Sequence, residues 1–387
     1  MIYLDYAASG PLRPGALNVL IRSMTEDYAN PSSAHALGSE LHKRIEACRH
    51  AFLKFLGASP RDHFFFTGSA TESNNTAIHG IAWQAGDSVW VSSAEHPSLT
   101  APVDALKTHG VTVKDLPLRP DGTPDEDAFL PLLDETVKLV IVSHVNNQSG
   151  AITDFLHLAK KIRKIRKSKT TFPVHIHVDA AQSFGKLPFS LHEGLIDTLS
   201  VSAHKMGGPK GIAGLYVRNG VSLSPLLLGG GQENGMRSAT QAAPLIVSFC
   251  EAAREAFATL DEARAHVTQI NVLAHRQLTD AFPSAQFPFF GETASPYILT
   301  FVLPGISSDI IVRHLEKEGI MISSSSACSS KIKGKNPVFS ALHLPEKNHK
   351  FVLRVSFSPL TTPAEVETFG RTLAAIYNNL TYFLPKR

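Results

Sequence analysis

The feature that most constrains this chain is the alternation of short apolar runs with helical patterns from residue 12 to about residue 255. "DHFFFTG", "DSVWVSS", "KLVIVSHV", "FPVHIHVD" and "TLSVSAHK" read as strands. Between them, "ESNNTAIHGIAW", "SLTAPVDALKTHG" and "FLHLAKKIRKIRK" carry helical spacing. Strands alternating with helices specify an α/β fold built on a doubly wound, mostly parallel sheet. Such a sheet places its ligands beyond the carboxyl ends of its strands, so the residues just after each apolar run have the first claim on chemistry.

A long helical stretch at roughly 240–280 leads to "SPYILTFVLPG", "SSDIIVRHLEKEG" and "HKFVLRVSFSP", which read as strand, helix and strand. The expected division is a large domain over 12–255 and a smaller α+β domain made of 1–11 plus 256–387. A chain of 387 residues with 43% hydrophobic residues can bury cores for both. The net charge of +3 and the lack of aromatic–basic interleaving argue against a nucleic-acid partner. No apolar run approaches the roughly 18 residues of a membrane span, and "MIYLDYAASG" lacks the pattern of a secretory leader, so no membrane association and a cytoplasmic location are expected. The basic run "KKIRKIRKSK" keeps Leu158, Ile162 and Ile165 at helical spacing and reads as a solvated helix end.

Two strand ends stand out. Asp179 closes "HIHVD", and Lys205 follows "TLSVS" 26 residues later. A lysine so close to an apolar strand either snorkels back to water or sits in a site with a partner. In pyridoxal phosphate enzymes a lysine holds the cofactor aldehyde while a carboxylate pairs with the protonated ring nitrogen. Each residue alone has an ordinary reading, Lys205 as a turn lysine and Asp179 as a helix cap. "FTGSATESNN" is a strand, a small-residue turn and a helix start. Its backbone N–H groups around Ala70, with the Thr71 hydroxyl, form an anion site, and Ser202 and His204 flank the same crevice. A rival reading takes His175, His177 and Asp179, on one strand face, as metal ligands of a hydrolase. No further histidine and carboxylate set follows at later strand ends, so no metal is expected and both histidines read as strand residues with satisfied ring nitrogens.

Three cysteines at wide spacing make neither a disulfide framework nor a zinc knuckle. Cys48 shares helical spacing with Ile45, Phe52 and Phe55, and Cys250 with Ile246, Ala253 and Phe257, so both read as buried thiols. Cys328 lies in "SSSSACSSKIKGKN", a segment with no regular period, ahead of Lys331, Lys333 and Lys335. Exposure and nearby ammonium groups favour its thiolate, the nucleophilic form.

Over nearly its whole length the chain resembles a known family. "IYLDYAASGP", "NPSSAH", "FTGSATESNN", "AEHPS", "HVNNQSG", "HVDAAQSFGKLP", "SVSAHKMGGPKG", "GGGQENGMRSAT", "SSSSACSS" and "VLRVSFS" occur in the order found in cysteine desulfurases with the longer cysteine-bearing loop, fold-type I pyridoxal phosphate enzymes of the class-V aminotransferase superfamily. The resemblance implies that Lys205 holds the aldehyde of pyridoxal 5′-phosphate, Asp179 the ring nitrogen, and Gln182 with Asn147 the region of the ring hydroxyl. It implies that His96 stacks on the ring and moves protons. Ala70, Thr71, Ser202 and His204 would hold the phosphate, with Thr240 reaching the phosphate of the opposite subunit of a homodimer. Arg354 would clamp the carboxylate of L-cysteine. Cys328 would take the sulfur as a persulfide, releasing L-alanine, and pass it to an acceptor protein such as an iron–sulfur scaffold. A selenocysteine lyase or a small-amino-acid aminotransferase would share Lys205 and Asp179, and only Cys328 separates them; a binding-only scaffold would not retain the lysine, aspartate, cysteine and arginine together. The chain departs from the family pattern at Gln148, where a glutamate is usual, at Gly10, where a threonine is common, and at Pro359, where a glycine is usual.

Overall fold

The computed structural model describes residues 1–169, 174–324 and 336–382, without the side chains of 166–169. Cys328 and the lysines that follow it lie outside the described residues.

Among the described residues a seven-stranded sheet runs in the order His63–Thr67, Ala213–Val217, Thr198–Ser202, His175–Asp179, Val137–Ser143, Ser88–Val91 and Thr112–Asp115. The strands from Thr198–Ser202 to Thr112–Asp115 are mutually parallel; Ala213–Val217 is antiparallel to both its neighbours. The expected doubly wound, mostly parallel architecture is therefore present. The strands Ala213–Val217 and Thr112–Asp115 were not legible as strands. The first is a short run broken by Gly214, and the second is an exposed and half-exposed edge with no apolar stripe.

Period-two alternation explains how the sheet is buried on both faces. In Val137–Ser143, Val140 and Val142 join the larger core, whereas Leu139 and Ile141 face the helices Ala70–His79 and Pro97–Leu106. The larger core packs the sheet against the helices Ala36–Phe55, Phe155–Lys169 and Ala243–Ala258. Its centre is Phe52, fully buried, which stacks on Phe64 at 4.5 Å and touches Phe249 at 4.4 Å. Cys48 and Cys250 sit in this core at 8% and 2% exposure, as their spacing implied. The described part of the basic helix end is amphipathic as its spacing implied. Leu158 and Ile162 are buried, Lys164 is exposed, and Lys160 and Lys161 stay half exposed while pairing with Glu193 and Glu126; Arg163, more covered, pairs with Asp197.

A second core surrounds the antiparallel sheet formed by Ser323–Ser324, Val352–Ser356 and Ile298–Val302, covered by the helices Leu260–Ala281, Ser308–Lys317 and Pro363–Tyr382. The stretch at 240–280 is thus two helices, broken at Thr259, each serving a different core. The N-terminal strand Ile2–Tyr3 pairs with Ile320–Met321, and Leu4 and Ala7 enter this second core. Ser356 ties the strap further: its N–H donates to the Leu4 carbonyl and its hydroxyl accepts from the Ala7 N–H. This strap carries Asp5, Ala7 and Ala8 to the edge of the larger sheet.

Gly214 tests the packing. A Cβ there would lie 2.0 Å from the Phe64 ring, which is itself held against Phe52. Gly214→Ala is expected to cost about 1–3 kcal/mol through overpacking. Chemical denaturation checks this; unchanged stability would mean that Phe64 can move aside.

Candidate active site

The parallel strands end together. Ser143 and Asp179 are register partners at the carboxyl ends of adjacent strands, and Ser202 closes the next, leading through the short turn Ala203–Lys205 to Lys205. Beyond these ends lies a cavity of about 720 Å³, walled on the other side by the N-terminal strap and by Arg354 of the strand Val352–Ser356. Ala70, Thr71, His96, Asn147, Asp179, Gln182, Ser202, His204, Lys205 and Arg354 all line it. Thr240 does not. It is exposed on a loop anchored by Glu233, a buried carboxylate that accepts from Arg49, from the Phe66 N–H and from Gln241. Ala239, just before Thr240, has φ 140°, a region that favours glycine, so the loop is strained where Thr240 emerges.

The Lys205 ammonium donates to the Ala7 carbonyl at 2.5 Å and to the Ala8 carbonyl at 2.8 Å. Asp179 accepts at both oxygens, from the Ala181 N–H at 2.8 Å and from the Asn74 amide at 2.9 Å. Gln182 spends its amide N–H on the Ala7 carbonyl, and its buried Oε1 has no partner. At the opposite wall Arg354 donates to the Asn147 carbonyl at 2.7 Å and to Asp5 at 3.0 Å, while its buried Nε is left without a partner. Gln148, where a glutamate is usual, also lines the cavity, and its buried Oε1 is unpartnered.

Burial and a concentration of cations set the electrostatics. Desolvation raises Asp5 above the ordinary carboxylate range against the pull of Arg354. Desolvation lowers His96, and it lowers His204 to about 4 with help from Lys205, Lys210 and Lys186. A neutral His204, bonded through Nδ1 to Ser9, meets an anion as a hydrogen-bond partner. Ser69 caps the helix Ala70–His79 by accepting from the Glu72 N–H, and Glu72 in turn accepts from Gly68. Gly68, Ser69, Ala70 and Thr71 of that helix start line the cavity, and a helix N-terminus favours negative charge.

Lys186, Lys210, Asp5 and Asn74 were missed by sequence reasoning. Asp5 and Asn74 act through partners far along the chain, which no local pattern encodes. Lys210 follows a Gly–Gly–Pro turn like many solvent lysines. Lys186 is 8% exposed, has no carboxylate partner among the described residues, and sits 5.6 Å over the Tyr297 ring behind Lys205. His175 and His177 bond to Thr198, and His177 also to Asn74, which accounts for three of their four ring nitrogens.

The comparisons with known proteins bear on the family and the fold. The aminotransferase class-V family matches residues 2–369. A cysteine desulfurase IscS of Dictyoglomus turgidum is 30% identical over 99% of this chain and 96% of its own length. A NifS/IcsS homologue of Lactobacillus delbrueckii subsp. bulgaricus is 33% identical over 98% of both. Among solved structures, a NifS-like protein superposes with a TM-score of 0.89 at 30% identity, covering 98% of this chain and 99% of that one. A structure described as SspA in complex with cysteine gives 0.79 at 29% identity, covering 94% and 100%. The chain belongs to the class-V aminotransferase family of pyridoxal phosphate enzymes, among its cysteine desulfurases.

Burial, reinforced by Lys205 and Arg354, pushes the Lys186 ammonium from 10.5 down to about 7. A base lowered on folding costs stability in full below its folded value, and the cost fades as pH rises from about 7 towards 10.5, where the unfolded chain binds the extra proton. Lys186→Met is therefore expected to stabilise the protein most near pH 6 and least near pH 10. Denaturation curves at both pH values check it; an equal effect at both would mean that Lys186 is not a buried cation.

Proposed function

We propose that the protein is a cysteine desulfurase that takes sulfur from L-cysteine, releases L-alanine and carries the sulfur as a persulfide on Cys328 to an acceptor protein. An iron–sulfur scaffold is an acceptor of the right chemistry. The observation that carries this reading is the convergence of Lys205, Asp179, His96, Gln182 and Arg354 on one cavity at the carboxyl ends of the parallel strands. The 12–255 and 1–11 plus 256–387 division into domains puts the cavity between them, in keeping with the two separate cores.

The donor set fits pyridoxal 5′-phosphate. The unpartnered Gln182 Oε1 is an acceptor for the ring hydroxyl, beside Asn147. The helix start at Ala70 and Thr71, with Ser202 and neutral His204, offers donors to the phosphate, and Thr240 completes that site in the opposite subunit of a homodimer. Asp179 would pair with the ring nitrogen, and Lys205 would hold the aldehyde. The cofactor, when bound, supplies an electron sink for charge that develops on the substrate carbons. Arg354 orients cysteine by its carboxylate through the Nε–H and the remaining guanidinium hydrogens. Lys205 and His96, which both line the cavity, would move protons at the substrate Cα.

The Cys328 thiolate attacks the substrate sulfur, forming an S–S bond as the carbon–sulfur bond breaks. The electron pair of that bond stays with the carbon skeleton, which takes up a proton and leaves as alanine. Cysteine and the enzyme thiol thus give alanine and the enzyme persulfide, with atoms and electrons balanced. The burial of Cys48 and Cys250 supports Cys328 as the thiol involved.

After exposure to cysteine, mass spectrometry is expected to find one added sulfur on the Cys328 peptide, with alanine released. Cys328→Ser is expected to bind cofactor and cysteine yet release neither sulfide nor alanine at the normal rate, because a serine hydroxyl is far less ionised than a thiol and cannot form a persulfide. Full desulfuration by Cys328→Ser would move the assignment to a selenocysteine lyase or an aminotransferase. Arg354→Ala is expected to raise KM and to lower kcat/KM by about 2–4 kcal/mol of transition-state binding, and Arg354→Lys not to restore it, because an ammonium cannot form the fork. An unchanged kcat/KM in Arg354→Ala would remove the residue from the site.

A further inference from the structure

Asn74, on the helix Ala70–His79, is fully buried and makes four side-chain hydrogen bonds. Its amide nitrogen reaches Asp179 Oδ2 and Ser98 Oγ, both at 2.9 Å. Its oxygen reaches Ser200 Oγ at 2.5 Å and His177 Nε2 at 3.0 Å. Beyond these, Ser98 Oγ touches His96 Nδ1, His177 Nδ1 touches Thr198 Oγ1, and Thr198 Oγ1 touches His175 Nε2.

One bond in this network has a direction that no rotation can reverse. The backbone N–H of Ser98 donates to His96 Nδ1 at 3.1 Å, so Nδ1 is an acceptor and the His96 proton is on Nε2. The other directions follow in turn. Ser98 Oγ–H donates to the same Nδ1, so Ser98 Oγ accepts from Asn74. The Asn74 amide group therefore faces Ser98 and Asp179, and its carbonyl oxygen accepts from Ser200 and from Nε2–H of His177. His177 Nδ1 then accepts from the Thr198 hydroxyl, which in turn accepts from Nε2–H of His175. Burial lowers His177 to about 3 and His175 to about 4, so both rings are neutral at ordinary pH and each carries a single proton.

We propose that Asn74 is a positioning residue for Asp179: its amide N–H holds Asp179 as a hydrogen-bond acceptor, and the Nε2–H tautomer of His96, relayed through Ser98 Oγ, helps to set which way round that amide lies. The donor chain His175–Thr198–His177 holds the amide the right way round. Reversing the amide would put its oxygen 2.9 Å from a carboxylate oxygen and leave Ser98 with nothing to accept. His96, held by the Ser98 backbone N–H and hydroxyl, enters the reaction with Nδ1 saturated and its proton on Nε2, as a neutral donor in the cavity it lines. The functional consequence rests on the assignment of His96 and Asp179 to the reaction; the tautomers do not.

The test is nitrogen-detected NMR of the full-length protein labelled on its histidines, with His96→Gln and His177→Gln to assign the two rings. Both are expected as Nε2–H tautomers at neutral pH, and Nδ1–H on either ring overturns the proposal. Ser98→Ala removes only the hydroxyl between Asn74 and His96. It is expected to leave both rings as Nε2–H tautomers, because the backbone N–H of residue 98 still donates to His96 Nδ1 and Asp179 still accepts from Asn74. Asn74→Ala removes the donor to Asp179 and the acceptor of His177 Nε2–H. It is expected to mix the His177 tautomers, to leave His96 as Nε2–H, and to lower kcat for cysteine by about tenfold with little change in KM, and an unchanged His177 overturns the proposal. Thr198→Val is expected to mix the His177 tautomers and leave His96 in place; an unchanged His177 overturns the donor chain. Absence of desulfuration by the unaltered protein would refute the proposed function while leaving the tautomer result readable.

Discussion

A parallel sheet covered on both faces can hold a polar group along its strands only where a partner satisfies it, and much of this molecule follows from that constraint. The strand Val137–Ser143 puts Val140 and Val142 in one core and Leu139 and Ile141 in the other. Within the neighbouring strands His177 is bonded to Thr198 and to Asn74, and Ser200 to Asn74. The strand residues that line the cavity, Ser143, Asp179 and Ser202, end their strands side by side at the carboxyl edge. The cavity is the space left when the second core and the N-terminal strap close over that edge.

The same closure sets the electrostatic character of the site. Lys205 and Lys186 lie close enough for each to oppose the other's charge, and Arg354 adds a third cation held by Asp5. Only a few carboxylates stand against them, and Asp5 is itself pushed towards protonation by burial. A site this cationic suits a ligand that brings its own negative groups, such as a phosphate and a carboxylate. The histidines contribute no charge to the balance. His204 is depressed to about 4, and His96 is lowered by desolvation, so both act as neutral hydrogen-bonding groups.

What was legible in the sequence was whatever repeats with a short period or sits at a strand end. The five apolar runs, the helix faces of Cys48 and Cys250, and the pairing of Asp179 with Lys205 all belong to that kind. Groups that act across the fold were not legible. Asp5 meets Arg354 from 349 positions away, and Asn74 meets His177 across 103. The strand Ala213–Val217 was hidden by Gly214, which is there because Phe64 occupies the place of a side chain. The acidic partners Glu126, Glu193 and Asp197 of Lys161, Lys160 and Arg163 were not legible, because they lie on separate segments.

The central claim is that Lys205, among several lysines at the cavity, is the one that holds the cofactor. Lys186 lies behind it and Lys210 beside the phosphate donors, and all three are primary amines that could in principle meet an aldehyde. The most direct measurement is borohydride reduction of the purified yellow protein followed by peptide mapping. The account predicts loss of the visible band and a single reduced pyridoxyl group on the peptide that contains Lys205. A label on Lys186 or Lys210, or a protein with no visible band to reduce, would contradict it.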